Sequence, residues 1–313
     1  MGFSTDWLAD ILPDYQGAVD FGIEIMEVHH NPSHSMKKAL YIPVDKSEAH
    51  ADLLKEAISN GAIAAIWDKE TPAPAFLPTD FPLFFVDHLQ ASLNEVTEAY
   101  LEKVSPCTVL VTGDEGVDMT QKYVSTVLSQ QYEVYEANFT ESSEVDLCLQ
   151  LLQMPAETEV LVLGVALGGV DDLQHLVEFV KLDFGVISHV SSNGHSEDLI
   201  QKSVEIFAGL KENGYVLLDG DESLFSPLFS KENVITCGFK EENKEVIIDS
   251  KEDNFMVNEC VYNHQNVDKS FLKYLGFAVV IGEKIGLEQA SIQLGLINTH
   301  YNQTHLSTPT IQK

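Results

Sequence analysis

The stretch Thr108-Val-Leu-Val-Thr-Gly-Asp-Glu-Gly-Val-Asp-Met-Thr120 decides the fold of this chain. Its apolar and β-branched residues 109–112 predict a buried parallel strand, and a helical pattern of apolar positions begins after Gly116. A strand, a glycine turn and a helix in this order form the scaffold of a phosphate-binding loop, in which backbone N–H groups and the helix dipole hold an anion.

The side chains of this turn do not suit a phosphate. A nucleotide-binding loop of this type needs Lys after its last glycine and then Ser or Thr for Mg²⁺, but the residues there are Val117 and Asp118. The turn, which begins at Gly113, also carries Asp114 and Glu115. At ~4 Å and an effective dielectric constant of ~20, each carboxylate would repel a phosphate charge by about 4 kcal/mol before screening. The turn therefore reads as a degenerate cofactor site, and no bound cofactor is expected.

The composition is typical of a globular protein with more than one domain. At 313 residues, of which 44% are hydrophobic, the chain is long enough for two domains with their own cores. No apolar run approaches the ~20 residues of a membrane span, so no membrane association is expected. The N-terminal residues lack the basic region of a secretory signal. The four scattered cysteines form no C-x-x-C pair, which is typical of reduced thiols in a cytoplasmic protein.

Charge argues against a nucleic-acid partner. The chain has 18 basic and 49 acidic residues, a formal net charge of −31, and every basic residue is Lys. Without Arg, the chain lacks the planar group that binds phosphate in a bidentate manner. Because phosphate contacts supply most of the affinity for nucleic acids, we expect none to bind. The acidic excess predicts a solubility surface in preference to an acidic docking face.

The first 105 residues alternate helices and short strands. The predicted elements are helices over 7–12, 50–59 and 89–104 and strands over 39–44, 62–67 and 83–86. The proline-rich segment 71–82 predicts a loop, because Pro is excluded from sheet interiors. Ser105-Pro106 is the predicted joint between two domains.

Residues 106–297 alternate strand and helix repeatedly. Strands are predicted at 108–112, 132–136, 159–163, 184–190, 215–218 and 233–237, and helices at 118–130, 143–153, 171–181 and 196–211. This order predicts a doubly wound, mostly parallel sheet with ligand sites at the carboxyl ends of its strands. An antiparallel flap over 246–248 and 255–261, closing helices over 267–285 and 287–297, and a polar tail over 298–313 complete the prediction. The fold class is α/β, with a small domain over 1–105 and a larger central domain over 106–297.

The order of these segments resembles that of the Mur ligases, which add amino acids to the peptidoglycan precursor, and most closely the branch that adds D-alanyl-D-alanine. The similarity runs from about residue 5 to residue 297 and rests on phrases in the same order. These are Ala39-Leu-Tyr-Ile-Pro-Val44, Glu56-Ala-Ile-Ser-Asn-Gly-Ala-Ile-Ala-Ala-Ile66, Glu136-Ala-Asn-Phe-Thr140, Lys181-Leu-Asp-Phe-Gly-Val-Ile187, Glu205-Ile-Phe-Ala-Gly-Leu210, Asp219-Gly-Asp-Glu222 and Leu287-Glu-Gln-Ala-Ser-Ile-Gln-Leu-Gly295. The resemblance implies a UDP-sugar-binding first domain and an ATPase-like central domain, in which Asp219 and Asp221 are the counterparts of the adenine site.

The departures from the family pattern fall on its chemistry. Gly164 stands where the family has a magnesium-binding Glu, and Ser203 where it has a carbamylated Lys. The neighbouring Lys202 lies about 100° away around a helix. His195 matches a metal-ligand histidine of the family and is interpreted as a relic of that site. In the UDP-sugar-binding domain, Asn31-Pro-Ser33 replaces an Asp-Ser-Arg sequence.

Two further groups of residues could be considered as a metal site or as a general base, but their sequence patterns do not favour these roles. Histidines 29, 30, 34 and 50 match no zinc spacing and are interpreted as loop or surface residues. Asp171 and Asp172 suit the opening of a helix better than a general base, because carboxylates stabilise the positive end of the helix dipole.

These features predict a catalytically inactive Mur ligase homologue with a binding or regulatory role linked to peptidoglycan-precursor metabolism. No catalytic residue is assigned. The alternative is a divergent amide ligase that uses ATP and Mg²⁺ and works with a partner supplying the family's third domain, before which this sequence stops. The expected partner is a protein or a second copy of the chain, bound where that domain would lie. The apolar residues proposed for this face are Leu287, Ile292, Leu294, Leu296 and Ile297. A cell-wall-related small molecule is the other candidate ligand.

Overall fold

The structure, a computed structural model, divides the chain into two compact units. It describes residues 2–19, 23–44, 50–139, 144–167, 173–190, 196–249, 254–264 and 267–306. The first unit contains residues 1–105 and 142–157, and the second contains 106–141 and 158–313. Five strands form the larger sheet of the first unit and nine form the sheet of the second, so the two units have separate sheets.

The first unit is a small α/β structure. Its elements are β1 (Phe3–Ser4), α1 (Thr5–Ile11), β2 (Tyr15–Gln16), β3 (Glu24–Ile25), β4 (Glu27–His29), β5 (Ala39–Tyr41), α2 (His50–Ser59), β6 (Ala62–Asp68), β7 (Leu83–Val86) and α3 (Leu89–Val104). The larger sheet has the order β2-β7-β6-β5-β4, in which β7 to β4 are parallel and β2 is antiparallel to β7. Apolar residues at alternating positions of β6, among them the fully buried Trp67, pack against α2.

One helix lies in a different unit from the one the sequence suggests. The segment 143–153 was expected to continue the alternation of the second domain, but α5 (Glu144–Leu152) packs on α3 in the first unit. Its Glu144 carboxylate accepts a bond from Asn94 Nδ2 at 2.8 Å, and the buried Tyr100 hydroxyl donates to the Met154 carbonyl at 2.5 Å. The apolar periodicity of the helix is correct; what periodicity leaves open is which of two sheets the apolar side covers.

The second unit contains the doubly wound sheet. Its strands are β8 (Cys107–Gly113), β9 (Val134–Phe139), β10 (Val160–Ala166), β11 (Leu182–Ile187), β12 (Leu210–Asp219), β13 (Val234–Gly238), β14 (Glu245–Asp249), β15 (Asn254–Val257) and β16 (Cys260–Asn263). The order is β16-β15-β14-β13-β12-β11-β8-β10-β9, parallel from β9 to β14 and antiparallel at the β15–β16 edge. Central strands are apolar on both faces because helices cover both faces of such a sheet.

The helices of the second unit are α4 (Val117–Leu128), α6 (Leu173–Val180), α7 (Ser196–Val204), α8 (Leu272–Ile285) and α9 (Gln289–Leu306). Helix α8 is apolar nearly all round, and its residues 275–281 are almost completely buried between the sheet and α4. None of the helices in the described ranges is long and apolar enough to cross a membrane.

Several predicted boundaries are wrong for local reasons. The expected helix 196–211 ends as α7 at Val204 and continues as a 3₁₀ turn, Glu205–Gly209, before β12 begins. The expected strand 132–136 starts two residues later, because the Tyr132 N–H still donates to the Leu128 carbonyl and extends the turn after α4. The flap segment 255–261 is two strands. Asn258 turns between them with φ of 53°, a backbone conformation that Asn tolerates well.

The predicted polar tail is helical as far as Leu306. Polar side chains hold α9 in place: buried Thr299 donates to the Leu296 carbonyl at 2.6 Å, and Asn298 Nδ2 lies 3.4 Å from Gln130 Oε1 beyond the end of α4. Residues 307–313 lie outside the described residues. Polar composition was mistaken for lack of structure because the apolar stripe ends at residue 297.

The apolar surface proposed on α9 is mostly internal. Leu287, Ile292 and Leu296 are buried, Ile297 is half-buried, and Leu294 is 50% exposed. The same helix covers the outer edge of β16 with two glutamines. Gln289 Nε2 donates to the Val261 carbonyl. The Gln293 side chain accepts a bond from the Asn263 N–H and donates one to the Asn263 carbonyl.

Candidate functional site

The turn between β8 and α4 has the backbone of a phosphate loop. Gly116 is the N-cap of α4 with φ of 74°, and Gly113 has φ of 154°. Both values lie in regions that residues with a side chain rarely adopt, so the two glycines are required by the turn. Thr120 N–H donates to the Gly116 carbonyl at 2.9 Å, which starts the helix. The sequence therefore predicted this turn correctly.

The turn is closed by hydrogen bonds to the end of the neighbouring strand β11. Asp114 N–H donates to the His189 carbonyl at 3.0 Å, and the Ser188 hydroxyl lies 2.7 Å from the Glu115 carbonyl oxygen. A Cβ atom at Gly113 would come within 2.3 Å of the Ser188 hydroxyl. At least one N–H that a phosphate would need is thus already bonded within the protein, and the turn has little room to open.

A cavity of about 470 Å³ borders the turn on the side of β10. Its lining residues are Asp114, Gly116, Val117, Asp118, Met119, Lys122 and Ala166. The single cation among them, Lys122, lies 3.8 Å from the Glu136 carboxylate. Space for a ligand therefore remains beside the helix N-terminus, but its walls are acidic and apolar where a phosphate requires cations.

The position that would supply a magnesium-binding Glu is filled by two amide side chains. Gly164 lies within β10, and a Cβ atom there would approach Gln121 Oε1 to 2.5 Å and Asn138 Oδ1 to 2.8 Å. Gln121 is 3% exposed, and its amide nitrogen donates to the Ala137 and Val162 carbonyls at 3.0 and 3.1 Å. A longer side chain at 164 would have to displace an amide that is held on both sides.

The second metal position also lacks a ligand. Ser203 is fully buried, and its hydroxyl donates to the Ile200 carbonyl at 2.8 Å within α7. His195 and the pair Asp171-Asp172 lie outside the described residues. Among the residues that are described, no group of three or more His, Cys, Asp or Glu side chains could hold a metal ion. Within the described ranges, the residues at these positions do not fit Mg²⁺-bound nucleotide.

The two aspartates of the adenine-site counterpart form an ion-paired cluster at the end of β12. Lys273 Nζ of α8 lies 2.6 Å from Asp219 Oδ2 and 3.1 Å from Asp221 Oδ2. The side chains of Lys273, Asp219 and Asp221 are 19%, 5% and 14% exposed, so the cluster is largely withdrawn from water. Asp221 also accepts bonds from the backbone N–H groups of Phe239 and Lys240, which follow β13.

Burial and pairing shift the pKa values of this cluster in different directions. Burial raises the pKa of the Asp219 carboxyl above its usual value despite the Lys273 ammonium. Burial acts in the same direction on Asp221, but its backbone N–H donors and Lys273 outweigh it and lower the pKa of that carboxyl. Burial disfavours the Lys273 ammonium, yet the two carboxylates outweigh it and raise its pKa. The close contacts of Lys273 with both carboxylates therefore join the three side chains in one structural unit.

The sequence predicts the glycine turn between β8 and α4 but not the side chains that lie around it and around Asp219. These are Gln121, Asn138, Ser188, Lys273 and Tyr274. One signal was available: Lys273 stands in the first turn of a mostly apolar helix, where a cation opposes the helix dipole. A Lys in that position indicates a nearby carboxylate.

The polar groups of the first unit form local contacts. His29 Nε2 lies 3.2 Å from a Glu27 carboxylate oxygen, and its ring centroid is 6.0 Å from that of His34. The Ser33 hydroxyl donates to Glu56 at 2.7 Å, and its N–H to the Asn31 side chain at 3.0 Å. Of the four histidines interpreted as loop or surface residues, His30 and His34 lie in the loop after β4, whereas His29 is the last residue of β4 and His50 the first residue of α2.

Comparisons with known proteins agree with this architecture. Residues 111–280 match the model of a family described as the Mur ligase middle domain. The UDP-N-acetylmuramoyl-tripeptide–D-alanyl-D-alanine ligase of Bacillus subtilis (strain 168) is 29% identical over 198 residues, which are 61% of this chain and 42% of that protein. The corresponding ligase of Synechocystis is 20% identical over 259 residues, 78% of this chain and 54% of the relative. The matches thus span about half the length of these relatives.

Solved structures share the fold. MurF from Acinetobacter baumannii superimposes with a TM-score of 0.75 over 94% of this chain and 67% of its own, at 14% identity. MurF ligase from Thermotoga maritima in complex with ADP gives a TM-score of 0.68 over 88% of this chain and 67% of its own, at 20% identity. At these identities the likeness concerns the fold alone.

Proposed function

Because this chain belongs to the Mur ligase family, we propose that it is a catalytically inactive homologue with a binding or regulatory role linked to peptidoglycan-precursor metabolism in the cytoplasm. The observation that carries this proposal is the filled metal position. Gln121 and Asn138 occupy the space around Gly164, so the site differs from an active one by more than a missing carboxylate. The relatives are named as ligases, and the resemblance assigns their magnesium-binding Glu to position 164, where Gln121 and Asn138 leave little space for a side chain.

Electrostatics supports the same proposal. Three carboxylates, those of Asp114, Glu115 and Asp118, surround a turn that lacks the Lys and Thr of a working loop. Anionic nucleotides approach a chain of net charge −31 against its field. Val117, Gly164 and Ser203 stand at the positions of the cation, the metal ligand and the supporting Lys, and these three side chains cannot stabilise charge that develops on a transferred phosphoryl or acyl phosphate.

The preserved core supports association as the remaining role. Both units keep buried apolar cores and regular sheets, although Val117, Gly164 and Ser203 replace residues of the family's chemistry. We propose that the fold presents a surface to a protein of peptidoglycan synthesis, or binds a cell-wall-related small molecule. The 470 Å³ cavity beside α4 is large enough for such a molecule.

The test is a thermal unfolding measurement with and without millimolar MgATP, together with an assay of phosphate release. We expect no change in melting temperature and no hydrolysis. A nucleotide present at a hundred times its Kd would add about 2.7 kcal/mol to the stability of the folded state, which is easily measured. A clear rise in melting temperature, or phosphate release above a heat-inactivated control, would contradict the proposal.

A loop-restored variant makes the test stricter. In Val117→Lys with Asp118→Thr, the phosphate loop regains its cation and its hydroxyl. We expect this variant to remain inactive, because Gly164 and Ser203 still leave Mg²⁺ without ligands. Hydrolysis by the double variant would place the defect in the loop alone.

The alternative function is an ATP-dependent amide ligase of cell-wall synthesis that works with a partner chain. The names of the relatives and the open space next to the loop favour it. It requires metal ligands from elsewhere, since those positions in this chain do not supply them. ATP hydrolysis that appears only when a purified partner is added would support this alternative.

A further inference from the structure

The first turn of α8 lies across the carboxyl edge of the parallel sheet. Strands β8 and β12 are the two neighbours of β11, so their carboxyl ends are about 10 Å apart. In open α/β sheets this edge is the usual place for a ligand. Two consecutive residues of α8, Lys273 and Tyr274, reach the two ends: one contacts the end of β12 and the other the turn after β8.

Lys273 saturates the polar groups at the end of β12. Its ammonium bonds both aspartates there, at 2.6 and 3.1 Å, and stands 5.4 Å from the centre of the Phe239 ring. Asp221 also accepts a bond from Asn243 Nδ2 at 2.9 Å. The carboxylates that a nucleoside would contact are therefore engaged by a cation of the chain itself.

Tyr274 closes the opposite end of the same edge. A Cβ atom at Gly116 would lie 2.5 Å from Cζ and from the hydroxyl oxygen of the Tyr274 ring, so ring and glycine are in van der Waals contact. Burial, together with the carboxylates of Glu115 and Asp219, raises the pKa of the Tyr274 hydroxyl. The aromatic ring therefore covers the turn where a ribose or phosphate would have to enter.

We propose that Lys273 and Tyr274 act as a built-in occupant of the nucleoside part of the site. This inference rests on the proposed function, since it concerns the same edge of the same sheet. It adds that the nucleoside is excluded by the first turn of α8, independently of the acidic phosphate loop. Restoring the loop is then insufficient, because the space for the base and the sugar is already filled.

Adenosine is the appropriate probe. It carries no phosphate, so the carboxylates of the loop do not repel it, and binding reports on the nucleoside space alone. The opened variant combines Asp219→Asn, Lys273→Ala and Tyr274→Ala. It removes the Tyr274 ring and the Lys273 ammonium, and it also removes the carboxylate that lies closest to that ammonium. The matched control is Lys269→Ala. Lys269 also lies 5.4 Å from the Phe239 ring, but its side chain is 65% exposed and its ion pair is with Asp249.

Calorimetric titration with millimolar adenosine should give binding to the opened variant at least tenfold tighter than to the unmodified chain or to Lys269→Ala. Near-ultraviolet circular dichroism establishes that the variant is folded. Equal binding by the unmodified chain, or no binding by the folded opened variant, would overturn the inference. If the triple variant does not fold, Tyr274→Ala alone must show weaker but measurable binding, and its failure while folded counts against the inference.

The two proposals fail by different observations. MgATP hydrolysis by the unmodified chain would remove the proposed function, whatever adenosine does. If the opened variant is folded and does not bind adenosine, the inference about Lys273 and Tyr274 is wrong. The proposed function is not affected by that result, because it rests on the loop and on the metal positions.

Discussion

Replacement of Lys273 by Met tests how the carboxyl edge of the sheet is held together. Met keeps the length and the apolar stem of Lys, so packing changes little while the ammonium is lost. In this variant the Asp219 side chain, which is 5% exposed, has lost its nearest cation. Asp221 retains the N–H donors of the segment after β13, so most of the loss should come from Asp219.

The expected loss follows from burial. Removing one partner of a buried ion pair costs about 3–5 kcal/mol, because the other charge stays buried without compensation. Lys273 is 19% exposed, so water screens part of the pair and the lower end of that range, about 3 kcal/mol, applies. For a unit of nearly two hundred residues this corresponds to a fall in melting temperature of about 6–12 °C.

Thermal unfolding at several pH values is the assay, with Lys269→Met as the control for loss of a surface ammonium. Asp219→Asn in the Lys273→Met background should restore more than half of the loss, because the unpaired Asp219 carboxylate is gone and Asp221 keeps its backbone N–H donors. The pKa of Asp219, already raised by burial, should rise further without Lys273. A carboxyl with a raised folded-state pKa destabilises the protein above its unfolded pKa of about 3.8, so the loss should shrink as the pH falls through the folded value. A loss below about 1 kcal/mol, or one matched by Lys269→Met, would refute this reasoning.

Three further measurements follow from the same structure. Gln289→Ala with Gln293→Ala should lower stability by about 1–3 kcal/mol, since three bonds to a sheet edge are lost, and should produce concentration-dependent association by light scattering because the edge is bared; a stable monomer would contradict this. Gly164→Ala should cost about 1–3 kcal/mol through overpacking, and Gln121→Ala in the same chain should make the added methyl nearly neutral; equal costs in both backgrounds would argue against the contact. Burial raises the pKa of the Cys237 thiol, so that thiol should stay unmodified by a thiol reagent at pH 8 in the native protein and react on unfolding; modification at the rate of an exposed thiol would show that the burial is wrong.

The parallel core of the second unit was predictable because its strands are short apolar runs. Residues 108–112 and 160–163 are apolar or β-branched throughout, and they pair in register as β8 and β10. Helices α2 and α3 begin and end at the predicted residues, since Asn60-Gly61 and Pro106 follow them closely. Local punctuation and apolar periodicity thus determine the elements without tertiary information.

The destination of α5 and the contents of the site were not predictable in this way. An amphipathic helix carries no label for the surface it covers, and the bond between Asn94 and Glu144 joins residues 50 positions apart. Gln121 looks like an ordinary polar position of α4 until β9 and β10 bring their carbonyls to it. Replacement of a metal ligand by Gly is visible in the sequence, but the side chains that fill the vacated space come from other elements.

The placement of α5 has a consequence for how the protein is made. Residues 142–157 belong to the first unit, so the α3 side that receives them stays incomplete after residue 105 has been synthesised. Another 49 residues, 106–154, must leave the ribosome before Tyr100 meets Met154, which takes about 2–10 s at about 5–20 residues per second. During that time the nascent chain exposes an apolar surface to chaperones and proteases. A fragment cut at residue 105 would keep that surface permanently, so the shortest stretch that contains the whole first unit extends to residue 157.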